Sequence, residues 1–208
     1  MINKVYEVSF EVEGVMAMFT RPDAGAAFVS YPCPTYSAAK GMFEAVSRVK
    51  SAFIKPTKVE ICSPIQYTNY VTNYGGPLRK SNQLAQGSSY QLVATVLSNV
   101  CYKIYGIIEE VGLPDMNKVI TTNHLHLLQD KFETRLRNDR FYYMPCLGWK
   151  EFTPSYFGTV RAETKANESI NEFIPSMLYS PFDKNVSGNS NAVYKQNIWI
   201  KKGVMEYA

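Results

Sequence analysis

Two segments in which apolar and polar residues alternate place the strongest constraint on the fold of this 208-residue chain. The first is Val5–Val12, in which apolar residues alternate with Glu7, Ser9 and Glu11, and the second is Val96–Glu110. Successive side chains of a strand point to opposite faces of a sheet, so this period of two predicts half-buried strands. The chain is therefore expected to build around an antiparallel sheet.

Helical periodicity follows each of these strands. A helix that begins at Thr35 or Ser37 is predicted, because a hydroxyl there can cap the free N–H groups of the first turn. A second helix is predicted over Thr122–Arg137, where Lys131 and Arg135 share a stripe with His124 beside the apolar face. Further strands are predicted at Lys58–Cys62, Gly148–Phe152, Phe173–Tyr179 and Ala192–Ile200.

The order of these elements is β–α–β, an insertion, then β–α–β. This order predicts an α+β, ferredoxin-like fold, an antiparallel sheet with helices on one face. Residues 1–160 would form this domain, with a β-hairpin insertion within 63–90 that turns near Gly75. Residues 161–208 would form a small C-terminal β extension.

The charge is unevenly distributed along the chain, although the net charge is only +4. Ala24–Ile108 contains eight bases and two acids, a net charge of +6, and Ile61–Ile108 contains no carboxylate but six tyrosines. Bases contact phosphates and flat rings stack on unpaired nucleobases. On composition alone, the pattern favours a tyrosine-rich sheet with solvated lysines over nucleic-acid binding, and both interpretations stay open.

Several other chemistries lack the residues they need. The sequence contains no GxxxxGK[ST], GxGxxG or GxSxG motif. His124 and His126 would point about 200° apart on a helix and could not share a metal ion, and the four cysteines form no CxxC pair. We therefore expect no metal or cofactor, and thiols in a reducing, cytoplasmic setting without a membrane anchor.

Several ordered segments resemble the CRISPR-associated Cas-five family, in its type I-C branch within the RAMP superfamily. They occur in the family's order and are Phe19–Pro22 (FTRP), Val29–Pro32 (VSYP), Pro34–Ala45 (PTYSAAKGMFEA), Val59–Ile65, Ala94–Ile104 (ATVLSNVCYKI) and Pro145–Phe152 (PCLGWKEF). The resemblance implies a RAMP-type, ferredoxin-like body and a subunit of a type I Cascade. Such a subunit holds the 5′ handle of crRNA, caps the surveillance complex in antiviral defence, and contacts the Cas-seven backbone and Cas-eight large subunits. Target DNA is reached through the complex.

In the type I-C branch the resemblance also implies a metal-independent endoribonuclease that uses a Tyr, a Lys and a His. Here Ser47 stands at the tyrosine position and Asn123 at the lysine position, and His124 alone is retained. Asn cannot supply the positive charge of Lys, and Ser is a much weaker acid or base than Tyr. We therefore expect weak or absent cleavage of precursor crRNA.

The candidate RNA-binding residues fall into three groups. Near the first helix, backbone N–H groups beside Ser37 and Lys40 could meet a phosphate. On the insertion, rings and bases could stack or wedge handle nucleotides. The remaining candidates are basic residues elsewhere. The full set is Arg21, Ser37, Lys40, Arg48, Lys50, Tyr67, Tyr70, Tyr74, Arg79, Lys80, Lys131 and Arg135.

Two alternatives to a structural RNA-binding subunit remain open. One is an endoribonuclease with a rearranged centre, in which Lys131, Lys50 or Arg48 substitutes for the missing lysine. The other is a ferredoxin-like protein outside CRISPR systems that binds a small anion.

Overall fold

The computed structural model describes residues 4–25, 27–74, 81–87, 90–111, 123–182 and 190–207. Within them lie three helices and eight strands. In chain order they are β1 (Glu7–Ala17), α1 (Tyr36–Val46), β2 (Ala52–Ile61), β3 (Tyr67–Tyr74), α2 (Ser81–Ala85), β4 (Tyr90–Glu110), α3 (His124–Arg137), β5 (Tyr156–Gly158), β6 (Glu172–Phe182), β7 (Ser190–Lys201) and β8 (Val204–Glu206).

The strands form one eight-stranded sheet in the order β5-β1-β4-β2-β8-β7-β6, with β3 paired to β4. The strands β1, β2, β4 and β5, with α1 between β1 and β2 and α3 between β4 and β5, have the order of a ferredoxin-like β–α–β–β–α–β unit. All their pairings are antiparallel. The predicted α+β, ferredoxin-like class is therefore confirmed.

A two-stranded ribbon projects from this unit. β4 is 21 residues long, and its first half pairs with β3 from Tyr67 opposite Leu97 to Tyr74 opposite Tyr90. The insertion predicted within residues 63–90 therefore contains β3, and its predicted turn near Gly75 lies outside the described residues.

The helices α1 and α3 pack on one face of the sheet. Phe10 of β1 contacts Phe43 of α1 with ring centroids 4.8 Å apart, and Phe43 contacts Phe132 of α3 at 5.5 Å. All three side chains are fully buried. This aromatic chain fixes both helices on the sheet and sets the position of α3.

The opposite face is covered by residues 159–170. Glu11 of β1 is fully buried there and accepts hydrogen bonds from the Arg161 N–H, Nε and Nη2 (2.8, 2.8 and 2.5 Å) and from Thr164 Oγ1 (2.8 Å). Lys103 donates to the carbonyl oxygens of Arg161 and Thr164. Burial raises the pKa of Glu11, but the hydrogen bonds and charge of Arg161 outweigh it and hold the pKa below its ordinary value.

The prediction of a strand at Gly148–Phe152 is wrong. Gly148 has φ = +89°, and the segment closes into a loop through hydrogen bonds from Leu147 N to Phe152 O and from Phe152 N to Trp149 O. Met18 N donates to Leu147 O, which ties this loop to the chain after β1.

The C-terminal strands extend the same sheet. β8 pairs with β2 and β7, and β7 pairs with β6. The division between residues 160 and 161 stays a proposal. No helix in the described part of the chain has the length and apolar character needed to span a membrane.

Candidate functional site

The N-terminus of α3 positions His124. Asn123 caps this helix, and its Oδ1 accepts hydrogen bonds from the backbone N–H groups of Leu125 (3.1 Å) and His126 (3.2 Å). Its Nδ2 donates to Tyr6 Oη at 2.8 Å. Asn123 is thus a capping residue. Its side-chain amide holds the end of α3 and supplies no positive charge.

His124 is half-buried, and a residue just before β2 orients its ring. Its Nδ1 lies 2.8 Å from Ser51 Oγ, one residue before the start of β2. Lys50, beside Ser51, is exposed. The ring is therefore fixed at the end of the segment that links α1 to β2.

Ser47 begins that segment and faces the protein interior. It is 2% exposed, its backbone N–H donates to Phe43 O to end α1, and its Oγ is buried without a hydrogen-bond partner in the described residues. This placement does not support the catalytic role that the resemblance assigns to Ser47, because a substrate could not reach the hydroxyl.

Three of the predicted RNA-binding residues come together around a tyrosine that the sequence analysis missed. Tyr142 lies in the loop after α3 and is 48% exposed. The Arg135 guanidinium carbon is 4.0 Å from its ring centroid, and Lys131 Nζ is 5.4 Å from it. The charge of Arg48 also acts on it. We call Arg48, Lys131, Arg135 and Tyr142 the Tyr142 cluster.

The last turn of α1 holds this cluster in place. The Tyr142 N–H donates to Ala45 O at 2.8 Å, and Arg135 Nε donates to Val46 O at 2.7 Å. The free carbonyl groups at a helix C-terminus carry partial negative charge, which favours a cation such as Arg135. The cluster is thus a junction of α1, α3 and the loop after α3.

The surrounding cations lower the pKa of the Tyr142 hydroxyl. The pKa of Tyr142 is lowered because Lys131 hydrogen-bonds its oxygen and because Lys131, Arg135 and Arg48 all favour the phenolate. Tyr143 beside it is also 48% exposed and donates from its hydroxyl to Gly41 O at 3.0 Å. Cations and flat rings thus share one open surface.

One of the two predicted capping residues is used at the N-terminus of α1. Thr35 caps it and accepts from the Ala38 N–H, with Ser37 Oγ 3.2 Å from its hydroxyl. Lys40 lies 3.9 Å from Glu44 of its own helix. Ser37 and Lys40 therefore have local partners and do not belong to the Tyr142 cluster.

Arg21 is also paired locally. It donates two hydrogen bonds to the carboxylate of Asp23, at 3.1 and 2.7 Å. This pairing holds the pKa of Asp23 below its ordinary value and neutralises much of the positive charge that a phosphate would meet.

Two of the β3 tyrosines differ in how freely their rings could stack on a nucleobase. Tyr67 is 46% exposed. Tyr70 packs edge-on against Phe152 at 5.2 Å, and its hydroxyl donates to Glu151 at 3.3 Å. The side chain of Tyr74 and the predicted bases Arg79 and Lys80 lie outside the described residues.

The described residues hold no group of three or more His, Cys, Asp or Glu side chains that could bind a metal ion. The candidate site therefore offers the cations and phenol of the Tyr142 cluster and the oriented imidazole of His124.

The family model described as "CRISPR-associated protein (Cas_Cas5)" matches residues 8–169. The chain is 27% identical over 148 residues to the CRISPR pre-crRNA endoribonuclease Cas5d of Thermus thermophilus, an alignment of 71% of this chain and 61% of that relative.

The fold is similar to two solved structures. One, described as a CRISPR-associated protein, has a TM-score of 0.71 at 17% identity and covers 97% of this chain and 91% of its own. The other, from a CRISPR RNA-guided surveillance complex, has a TM-score of 0.56 at 13% identity and covers 98% and 90%. With the family model matching most of its length, the chain belongs to the Cas5 family of CRISPR-associated proteins.

Proposed function

We propose that this protein is a subunit of a type I Cascade that binds the 5′ handle of crRNA and caps the surveillance complex in antiviral defence. Its partners would be the crRNA, the Cas-seven backbone and the Cas-eight large subunit, with target DNA reached through the complex in the cytoplasm. Membership of the Cas5 family supports this role.

The observation that carries the proposal for the site is the Tyr142 cluster. A single-stranded RNA needs cations for its phosphates and flat rings for its bases. Arg48, Lys131 and Arg135 supply the first around the half-exposed ring of Tyr142, which supplies the second.

Binding of a synthetic 5′-handle RNA to the purified chain tests this site. Stacking of one base on an aromatic side chain contributes about 1–3 kcal/mol, so Tyr142→Ala should weaken binding by roughly 5- to 150-fold. Tyr142→Phe retains the ring and should bind within about threefold of the wild type. An affinity of Tyr142→Ala equal to that of the wild type contradicts the assignment.

A second candidate function is metal-independent cleavage of precursor crRNA, the activity named for the Thermus thermophilus relative. The observation that favours it is the position of the Tyr142 phenol beside α3. The Tyr142 ring lies against Arg135 while its oxygen meets Lys131, one turn nearer to His124. Lys131 and His124 lie on the same helix, about 10 Å apart along its axis by helical rise.

In that reaction a base removes the proton of a 2′-hydroxyl group, the oxygen attacks the adjacent phosphorus, and an acid protonates the leaving 5′-oxygen. His124 would be the base, Tyr142 the acid and Lys131 the cation that stabilises the charged phosphorane. Tyr142 would thus replace the tyrosine absent at Ser47, and Lys131 the lysine absent at Asn123.

Cleavage of a repeat-containing RNA in EDTA separates the two candidates. Loss of cleavage in His124→Ala and Tyr142→Phe, with cleavage retained in Tyr143→Phe, supports the nuclease. Tight binding by the wild type without cleavage contradicts the nuclease and leaves the binding role intact.

A further inference from the structure

Two cysteines lie directly opposite each other where the end of β2 pairs with β4, away from the Tyr142 cluster. Cys62 follows the last residue of β2, and Cys101 lies in β4. The Cys62 N–H donates to Cys101 O at 2.8 Å, and the preceding pair, Ile61 and Tyr102, is in register. Cys62 and Cys101 are therefore directly opposite each other.

Both thiols lie on the face covered by residues 159–170. On that face Cys101 Sγ donates to Glu11 Oε1 at 3.8 Å, and Cys62 Sγ donates to Glu60 O at 3.7 Å. Directly opposed residues of an antiparallel pair have Cα atoms about 4.5–5.5 Å apart. A disulfide spans Cα separations of about 4.4–6.8 Å, so the backbone already has a compatible spacing.

The two thiols differ in reactivity. The neighbouring Cys62 thiol lowers the pKa of Cys101, against burial and the charges of Glu11 and Glu13, with help from Arg161. The proximity of Cys101, followed by burial, raises the pKa of Cys62. The thiolate is the attacking form of a cysteine, so Cys101 is the first nucleophile of the pair.

The other two cysteines have no such arrangement. Cys33 is fully buried, and burial raises its pKa. Cys146 is half-buried, and its thiol lies 3.6 Å from Gly148 O. Only Cys62 and Cys101 combine facing positions with partial exposure.

We propose that Cys62 and Cys101 form a redox-sensitive pair that closes to a disulfide on exposure to a low-molecular-weight disulfide such as oxidised glutathione. The Cys101 thiolate attacks one sulfur of the oxidant and expels one thiolate, which takes up a proton, leaving a mixed disulfide. Cys62 then loses its proton and attacks the Cys101 sulfur, which expels the second thiol. Two protein thiols are oxidised and one disulfide is reduced to two thiols.

This cross-link would join β2 to β4 where the β3–β4 ribbon leaves the sheet. Ser63, which follows Cys62 in the connection to β3, accepts a hydrogen bond from the Cys101 N–H at 3.0 Å. The disulfide would therefore stiffen the base of the ribbon, a reversible modification of a Cas5 protein that depends on the redox state of its surroundings.

The test is treatment of the full chain with oxidised glutathione, followed by counting free thiols and mapping peptides without reduction. The expected result is loss of two of the four thiols, a peptide pair that links Cys62 to Cys101, and a higher midpoint of thermal unfolding that dithiothreitol reverses. Four retained thiols, or separate glutathione adducts on both cysteines, would overturn the proposal.

Matched variants sharpen the result. Cys62→Ser should stop at a mixed disulfide on Cys101, because the resolving thiol is gone. Cys146→Ser should form the linked pair as the wild type does. A linked pair between any other two cysteines in the wild type would overturn the assignment, and this readout does not depend on the folding of a variant.

Discussion

Glu11→Gln should destabilise the protein strongly, because it removes a buried charge while keeping the shape of the side chain. Glu11 accepts three hydrogen bonds from Arg161 and one from Thr164. Removing one partner of a buried ion pair costs about 3–5 kcal/mol. Arg161 keeps a second partner, Glu13, at 2.7 Å, and the amide oxygen still accepts, so we expect a loss of about 2–3 kcal/mol.

Urea unfolding at pH 7 measures this loss as a lower midpoint with an unchanged slope. The folded-state pKa of Glu11 lies below its ordinary value of 4.5. Its stabilisation is therefore complete above about pH 4.5 and is lost as the pH falls through the folded-state pKa. The difference in stability between wild type and Glu11→Gln should shrink in acid.

The exposed Glu163 on the same covering segment provides the control. Glu163→Gln should change stability by less than about 0.5 kcal/mol. An equally small effect of Glu11→Gln, or a difference between it and the wild type that persists undiminished in acid, would refute the reasoning.

Two further predictions address the loop after α3. Gly148→Ala should lower stability by roughly 3 kcal/mol or more in thermal unfolding, because the new Cβ would lie 1.8 Å from Met18 O at φ = +89°. An unchanged midpoint would contradict this steric argument. Lys131→Gln should raise the pKa of Tyr142, since Lys131 is the main cause of its lowering; phenolate absorbance in a pH titration reports this, and an unmoved titration would remove Lys131 from the cluster.

Much of the central sheet could be predicted because its strands and helices follow from the local spacing of apolar residues. The alternation around Phe10 gives β1, and the spacing after Thr35 gives α1 with that residue as its cap. β4 begins earlier than Val96 because its first half pairs with β3, a partner that periodicity does not reveal. Gly148–Phe152 has strand-like residues, but the positive φ of Gly148 closes a loop there instead.

The candidate site depends on contacts between distant parts of the chain. Tyr142 occupies an ordinary loop in the sequence, and its position follows from a hydrogen bond to Ala45 and from cations on two other segments. The aromatic run directly after a basic helix was the available signal. The pairing of Arg21 with Asp23, two residues away, could have been anticipated from the sequence.

The most direct test of the RNA-binding role is the salt dependence of 5′-handle binding in an Arg48→Gln, Lys131→Gln double variant. Each lost phosphate contact to a single strand reduces the slope of log K against log [salt] by about 0.7, so the variant slope should be shallower by about 1.4. The control is Lys165→Gln, because Lys165 is exposed on residues 159–170, which cover the face of the sheet opposite the helices. This variant should keep the wild-type slope. A double variant whose slope equals that of the wild type would contradict the account.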